Sequence, residues 1–213
     1  MADGDQNSDY SCANLPKGPC SQQNRHLLNR AARPELLNNL CQGLGQINAV
    51  IHQLLLGRDH LFEEACRIAV ELGGFKLAWV GVIDPDTLWI KPIAKAGEAG
   101  RYVEQIAVSV DPSLAEGHGL SGRAVQEDRH VIVNDFLADQ SVSRWHEMAQ
   151  KIGILSAGVF PLRQRGHPVG VLKLYADQVD FFDPDLVDLL LVMTRHINFA
   201  LDKLEYRKVQ LQG

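Results

Sequence analysis

The sequence predicts an α+β fold: a central antiparallel sheet of about six strands, helices on both of its faces, and long helices at the N- and C-terminal ends. Three observations predict it. Apolar residues recur at spacings of three and four in residues 34–56 and again in residues 184–211. Between these stretches the apolar period changes to two in several short runs. Two pairs of runs are joined by short turns, as hairpins are.

Residues 1–33 are rich in Asp, Asn, Ser, Gln and Gly and are expected to form a disordered tail. The first helix, assigned to 34–57, opens at Pro34, a good first-turn residue. Its Leu37, Leu40, Leu44, Ile47, Ile51 and Leu54 make a heptad seam, and a seam wants a partner helix. Gly43 and Gly45 interrupt it. Gly57 stops that helix and Asp59 caps the next, whose Leu61, Phe62, Ala65, Cys66, Ile68 and Ala69 are amphipathic up to Gly73-Gly74. From Leu77 to Ile83 both alternating sets are apolar, the mark of a strand covered on both faces. The turn Asp84-Pro85-Asp86-Thr87 leads to a second strand over Leu88–Ala94.

A mixed connection with a short helix around Tyr102–Ile106 follows. Then comes the most informative segment, Gly117-His118-Gly119-Leu120-Ser121-Gly122-Arg123-Ala124-Val125, followed by Val131-Ile132-Val133-Asn134-Asp135. A glycine-rich helix start brings backbone close to whatever lies beside it and offers free N–H groups, which suits a lid over a small-molecule pocket. A helix near Ser143–Lys151 precedes strands at Leu155–Leu162 and Val169–Tyr175, joined through a loop containing Gly166. Asp183 caps a last long helix with Pro184 as its first residue. Along it Leu186, Leu190, Met193, Ile197, Ala200, Leu204 and Leu211 form a second seam.

Bulk properties narrow the function. The chain has 213 residues, 46% of them hydrophobic, which suits one ordinary domain plus extra helices. Net charge is −5, against non-specific binding to nucleic acid or to a membrane surface. No apolar run approaches the ~20 residues of a membrane span, and no secretory signal pattern opens the chain. The expected location is cytoplasmic. The four cysteines, Cys12, Cys20, Cys41 and Cys66, include no CxxC pair and are read as reduced thiols. Histidine and cysteine never fall at zinc-ligand spacing.

Taken in order, several segments resemble the GAF domain family. They are Lys76–Asp84, the lid segment with Val131–Asp135, Val159-Phe160-Pro161-Leu162, Gly170–Tyr175, and Phe181-Phe182-Asp183 leading into the final helix. The resemblance covers roughly residues 59–205, with the domain itself assigned to 58–205 and the end of a signalling helix to 206–213. It is closest to the modules preceding bacterial diguanylate cyclases, cyclic-di-nucleotide phosphodiesterases and histidine kinases. It implies a non-enzymatic sensory domain with a small ligand between one sheet face and the lid. It also implies a homodimer through helices 34–56 and 184–211, and relay through the last helix to an output domain. A ligand-free dimerisation or spacer module is the alternative.

The residues expected to bind the ligand are Trp79, His118, Ser121, Arg123, Asp135, Trp145, Ser156 and Tyr175. An anion would use Arg123 and the helix start near Gly119. A cationic or aromatic ligand would use Trp79, Trp145 and Asp135. Haem is a further candidate, through His118 or His146. Each residue also has a structural role open to it: core packing for the tryptophans, a surface ion pair for Arg123, a turn cap for Asp135. Tyr175-Ala176 stand where cyclic-nucleotide-binding members carry Asn-Lys, which argues against that ligand class. The absence of cysteine beyond Cys66 argues against the thiol chemistry of free-methionine-sulfoxide reductases and against a covalent bilin. No nucleophile–base or phosphate-loop motif is present, so no catalytic residue is assigned.

Overall fold

The computed structural model describes residues 33–47, 49, 57–98, 100–104 and 106–212, and Leu36–Gly213 form one compact unit. Residues 33–47 make helix α1. The order is then α2 (Gly57–Glu71), β1 (Leu77–Ile83), β2 (Ile90–Gly97), α3 (Gly100–Val103), α4 (Leu120–Gln126), β3 (Val131–Val133), α5 (His146–Ile152), β4 (Ser156–Gln164), β5 (His167–Ala176) and α6 (Pro184–Gln212). Short 3-10 turns at Ala115–His118 and Gln140–Trp145 precede α4 and α5. Residues 1–32, together with Ile51 and Leu54 of the first predicted seam, lie outside the described residues.

The sheet has five strands in the order β2-β1-β5-β4-β3, every neighbouring pair antiparallel, where about six were expected. Strand alternation divides it cleanly. Ala78, Val80, Phe160, Leu162, Leu172 and Leu174 face α2 and α6, in one continuous core with Phe62, Ile68, Leu190 and Ile197. Leu77, Trp79, Ala157, Val159, Val171 and Tyr175 face the other way, against Tyr102, Leu120, Phe136 and Val142. Each large side chain fully buried in either layer is worth roughly 1.5–3 kcal/mol of transfer free energy.

Both predicted seams require correction. Leu40 and Ile47 of α1, and Leu186, Leu190, Met193, Ile197 and Ala200 of α6, are buried in the core of their own sheet. They are not free for a partner helix. A helix laid on a sheet shows the same three-four spacing as a coiled-coil seam, so periodicity alone does not separate the two. Gly43, read as an interruption, is where α1 approaches α2: a Cβ there would lie 2.5 Å from Ile68 Cγ2.

The predicted start of α6 is present. The Leu186 amide donates to Asp183 Oδ1 at 2.9 Å, capping the helix whose first residue is Pro184. The β4–β5 hairpin is tied to α6 as well: the Arg163 amide donates to Asn198 Oδ1 at 2.8 Å and Gln164 Nε2 to the Leu201 carbonyl at 3.2 Å. At the other end of the sheet, Asn134 both donates to the Phe182 carbonyl and accepts from the Phe182 amide, each at 3.0 Å. The segment leaving β3 is thereby joined to the residues that enter α6.

Candidate ligand site beneath the glycine-rich lid

The lid is built by close backbone approach. A Cβ on Gly117 would lie 1.9 Å from the Asp111 carbonyl oxygen, and one on Gly122 would lie 1.9 Å from the Gly117 carbonyl oxygen. A Cβ on Gly119 would lie 2.7 Å from the Trp145 ring. The glycines therefore fold the 3-10 turn, α4 and Trp145 onto one another; Gly119 itself has φ −71°. With only seven residues, α4 offers little helix dipole. Gln126 Nε2 completes the closure by donating to the carbonyls of Val110 and Gly117 at 3.0 and 3.2 Å.

Between this lid and the sheet lies a cavity of about 10 Å³, room for one water-sized group. Glu116, Gly119, Ser121, Phe136, Trp145 and Lys173 are among its walls. The ~300–1,000 Å³ common for small-molecule pockets is far larger. The chamber expected from the sequence is therefore closed almost to solid packing. Haem does not fit it. His118 is exposed and its Nε2 bonds the Pro112 carbonyl at 2.9 Å, while His146 Nε2 bonds the Asp139 carbonyl at 3.0 Å. Among the described residues no group of histidine, cysteine and carboxylate side chains is arranged to hold a metal ion.

The eight residues singled out from the sequence separate into three sets. Ser121 and Trp145 line the cavity, and Trp79 and Tyr175 lie buried on the same sheet face. His118, Arg123 and Asp135 are on the outside of the lid. Arg123 reaches Ser141 Oγ at 3.3 Å and pairs with Glu127 at 3.9 Å, and Asp135 caps its own turn by accepting from the Ala138 amide at 3.1 Å. Ser156 is on the opposite side of the sheet. Strand alternation puts it with Gly158 and Phe160, away from Ala157 and Val159.

The lid-side interior holds more polar groups than it satisfies. Ser121 Oγ is buried without a hydrogen-bond partner among the described residues, while the Tyr175 hydroxyl is engaged by Tyr102 and Trp79. Burial, reinforced by Tyr102, holds the Tyr175 phenol well above its ordinary value of 10. A buried hydroxyl left unpaired is uncommon in native interiors and costs about 1–3 kcal/mol.

The sequence reading missed the most unusual member of the site, Lys173. It is the cross-strand neighbour of Trp79 on β1 and of Val159 on β4, and it is only 8% exposed. Its Nζ lies 5.1 Å from the Tyr175 ring centroid. Burial pulls its ammonium down to about 7 from the ordinary 10.5. The carboxylate at the cavity wall, Glu116, is instead paired with Arg144 at 2.6 Å. One signal was available in the sequence: in Gly170-Val171-Leu172-Lys173-Leu174-Tyr175, alternation places a lysine between Val171 and Tyr175 on an apolar face.

The described cysteines belong to the helices rather than to the lid. Cys41 is exposed on α1, and Cys66 is buried on α2 in the opposite core, where burial pushes its thiol up to about 12.

Comparison with known proteins agrees with this architecture. The sequence model of the GAF domain family matches residues 56–202. Among curated proteins, none matches the sequence. A free methionine-R-sulfoxide reductase from Neisseria meningitidis, solved with its substrate, superposes with a TM-score of 0.65 at 16% identity, over 79% of this chain and 91% of that one. The GAF domain of a phosphoenolpyruvate-protein phosphotransferase from Coxiella burnetii gives 0.65 at 12% identity, over 81% and 98%. A type II free methionine-R-sulfoxide reductase from Thermoplasma acidophilum gives 0.56 at 18% identity, over 68% and 92%. At these identities the likeness establishes the fold alone.

Proposed function

The chain belongs to the GAF domain family, and from that premise we propose that it is a non-enzymatic sensory domain. It holds a small molecule beneath the lid and relays occupancy through α6 to an output domain of cyclic-di-GMP or kinase signalling. The observation that supports this most directly is the pairing of an unpartnered buried hydroxyl, Ser121 Oγ, with a buried lysine, Lys173, in the walls of one cavity. A ligand in that cavity gives both the hydroxyl and the ammonium a partner.

Relay to α6 has a physical route. The segment after β3 follows the lid and is clamped to Phe182 through Asn134, immediately ahead of the helix. Ligand binding that moves the lid shifts load onto that clamp, and α6 has the length to carry a displacement outward. The homodimer we propose uses a different face of α6 from the seam expected in the sequence. Phe199, Tyr206 and Val209 are 55%, 64% and 54% exposed, at spacings of seven and three.

A ligand-free spacer module is favoured by one observation, the near-closure of the cavity to about 10 Å³. The two readings separate in a thermal melt of the chain against a panel of metabolites, nucleotides and small ions. A ligand present at 100 times its Kd stabilises by about 2.7 kcal/mol, and a domain of this size then melts roughly 5–11 °C higher. A melting temperature unmoved across the panel supports the spacer. An enzymatic role is disfavoured because the two described cysteines sit on α1 and α2, away from the lid.

A further inference from the structure

We propose that Lys173 and the Ser121 hydroxyl form the recognition end of the lid site, and that its occupant is a compact oxyanion, a carboxylate or nitrate group. The inference deepens the sensory reading and rests on it. Both side chains line the same water-sized cavity. Both are more than nine-tenths buried. The Ser121 hydroxyl has no hydrogen-bond partner among the described residues.

The surroundings select the sign of the ligand. On β5 the nearest aromatic neighbour of the ammonium is the ring of Tyr175, and across the sheet stand Trp79 and Val159. From α3 comes Tyr102, from the lid Ser121, and from the two 3-10 turns Glu116 and Trp145. His146 of α5 packs on Phe136, 6.3 Å between ring centroids. Glu116 is the one carboxylate among the cavity's described walls, and Arg144 holds it. A cation would meet Lys173 with no free counter-charge. An anion would meet an ammonium and a hydroxyl donor together.

Size narrows the class. The cavity admits one oxygen-sized group. A carboxylate or nitrate places one oxygen there and leaves its remaining atoms toward Trp145, a half-exposed wall of the same cavity. A phosphate ester, with about two charges at neutral pH, overcompensates a single lysine.

Binding an anion favours the charged lysine, so it draws in a proton wherever the free amine is already neutral. The free site titrates at about 7. Affinity for the anion is then level below that pH and falls about tenfold per unit above it.

The test uses the full chain and sodium salts of nitrate, formate and pyruvate. Isothermal titration calorimetry is run in two buffers of different ionisation enthalpy. The expected result is saturable binding of at least one salt, about 0.8 proton taken up per anion at pH 7.5, and a Kd roughly 20-fold weaker at pH 8.5 than at pH 6.5. Response to nitrate alone assigns an inorganic ion, and response to formate or pyruvate assigns an organic acid. Lys173→Met should abolish saturation while keeping a cooperative melt, and Ser121→Ala should weaken binding about three- to tenfold. Binding unchanged in Lys173→Met, or binding without proton uptake, overturns the proposal. No anion binding together with a melting shift from another compound of the panel refutes the oxyanion class alone. No anion binding and no shift from any compound refute the sensory reading as well.

Discussion

Lys173 carries an energetic cost in the folded chain that its neighbours do not repay. Its folded-state value of about 7 lies below the ordinary 10.5. Between those values the unfolded lysine is protonated and the folded one is not, so the unfolded state binds more protons. Stability therefore rises with pH across that window and is level below pH 7. Lys173→Met replaces the amine with an apolar chain of similar length. It is expected to raise unfolding free energy by about 3–5 kcal/mol at pH 6, with the gain shrinking as pH approaches 10.5. Urea unfolding of both forms at a series of pH values measures this, and parallel curves would show that the lysine is compensated. That cost is the physical reason Lys173 is placed in the proposed site.

Individual residues also show where sequence reading reached its limit. Asp183 as the cap of α6 was readable because capping is local: one side chain and an amide three residues on. Ser156 was placed in the site because it opens a strand beside it, and the direction of its side chain follows from β4 register, a property of three strands together. Asn134 passed unnoticed beside Asp135, although its two bonds reach Phe182, 48 residues away. Asn134→Ala should cost about 1–3 kcal/mol by leaving the Phe182 amide and carbonyl unpaired, measurable as a lowered denaturant midpoint at constant m-value. An unchanged midpoint would remove the clamp from the proposed relay.

Among the elements, α6 decides most. Its first stripe packs on Phe160, Leu162, Leu172 and Leu174 of the sheet. Leu190→Glu or Ile197→Glu therefore buries an unpaired carboxylate in the core, and the expected outcome is loss of cooperative unfolding, not a folded monomer. Circular dichroism during a thermal ramp distinguishes the two. The hairpin bonds to Asn198 and Leu201 brace the same helix from its far side. The helix is thus tied to both the hairpin and the segment following β3, as the proposed relay requires.

For the molecule as a whole, the sheet separates two apolar layers with different tasks. The layer carrying α2 and α6 contains large apolar side chains and supplies stability. The lid-side layer mixes those with Tyr102, Tyr175, Trp79 and a lysine, and holds the proposed recognition site. The proposed assembly uses the second stripe of α6. Phe199→Glu with Tyr206→Glu should convert the proposed dimer to monomer with the melting profile of the domain preserved, since both side chains are more than half exposed. Sedimentation equilibrium reads the mass directly. A wild-type chain that sediments as a monomer at all concentrations removes dimerisation from the mechanism. Among the described residues no helix is long and apolar enough to cross a membrane.

Element type and order were readable along the chain, because period, caps and turn residues act over a few neighbours: the two expected hairpins formed as β1–β2 and β4–β5, and Asp183-Pro184 opened the last helix where expected. What a given apolar stripe faces was not readable. A three-four spacing fits a sheet and a partner helix equally well, and packing against Leu172 and Leu174 settled it for Leu190 and Ile197. The same holds for the site. Lys173 stands out only when β1, β4, β5 and the lid surround it, since burial and the missing counter-charge are sums over residues far apart in the chain.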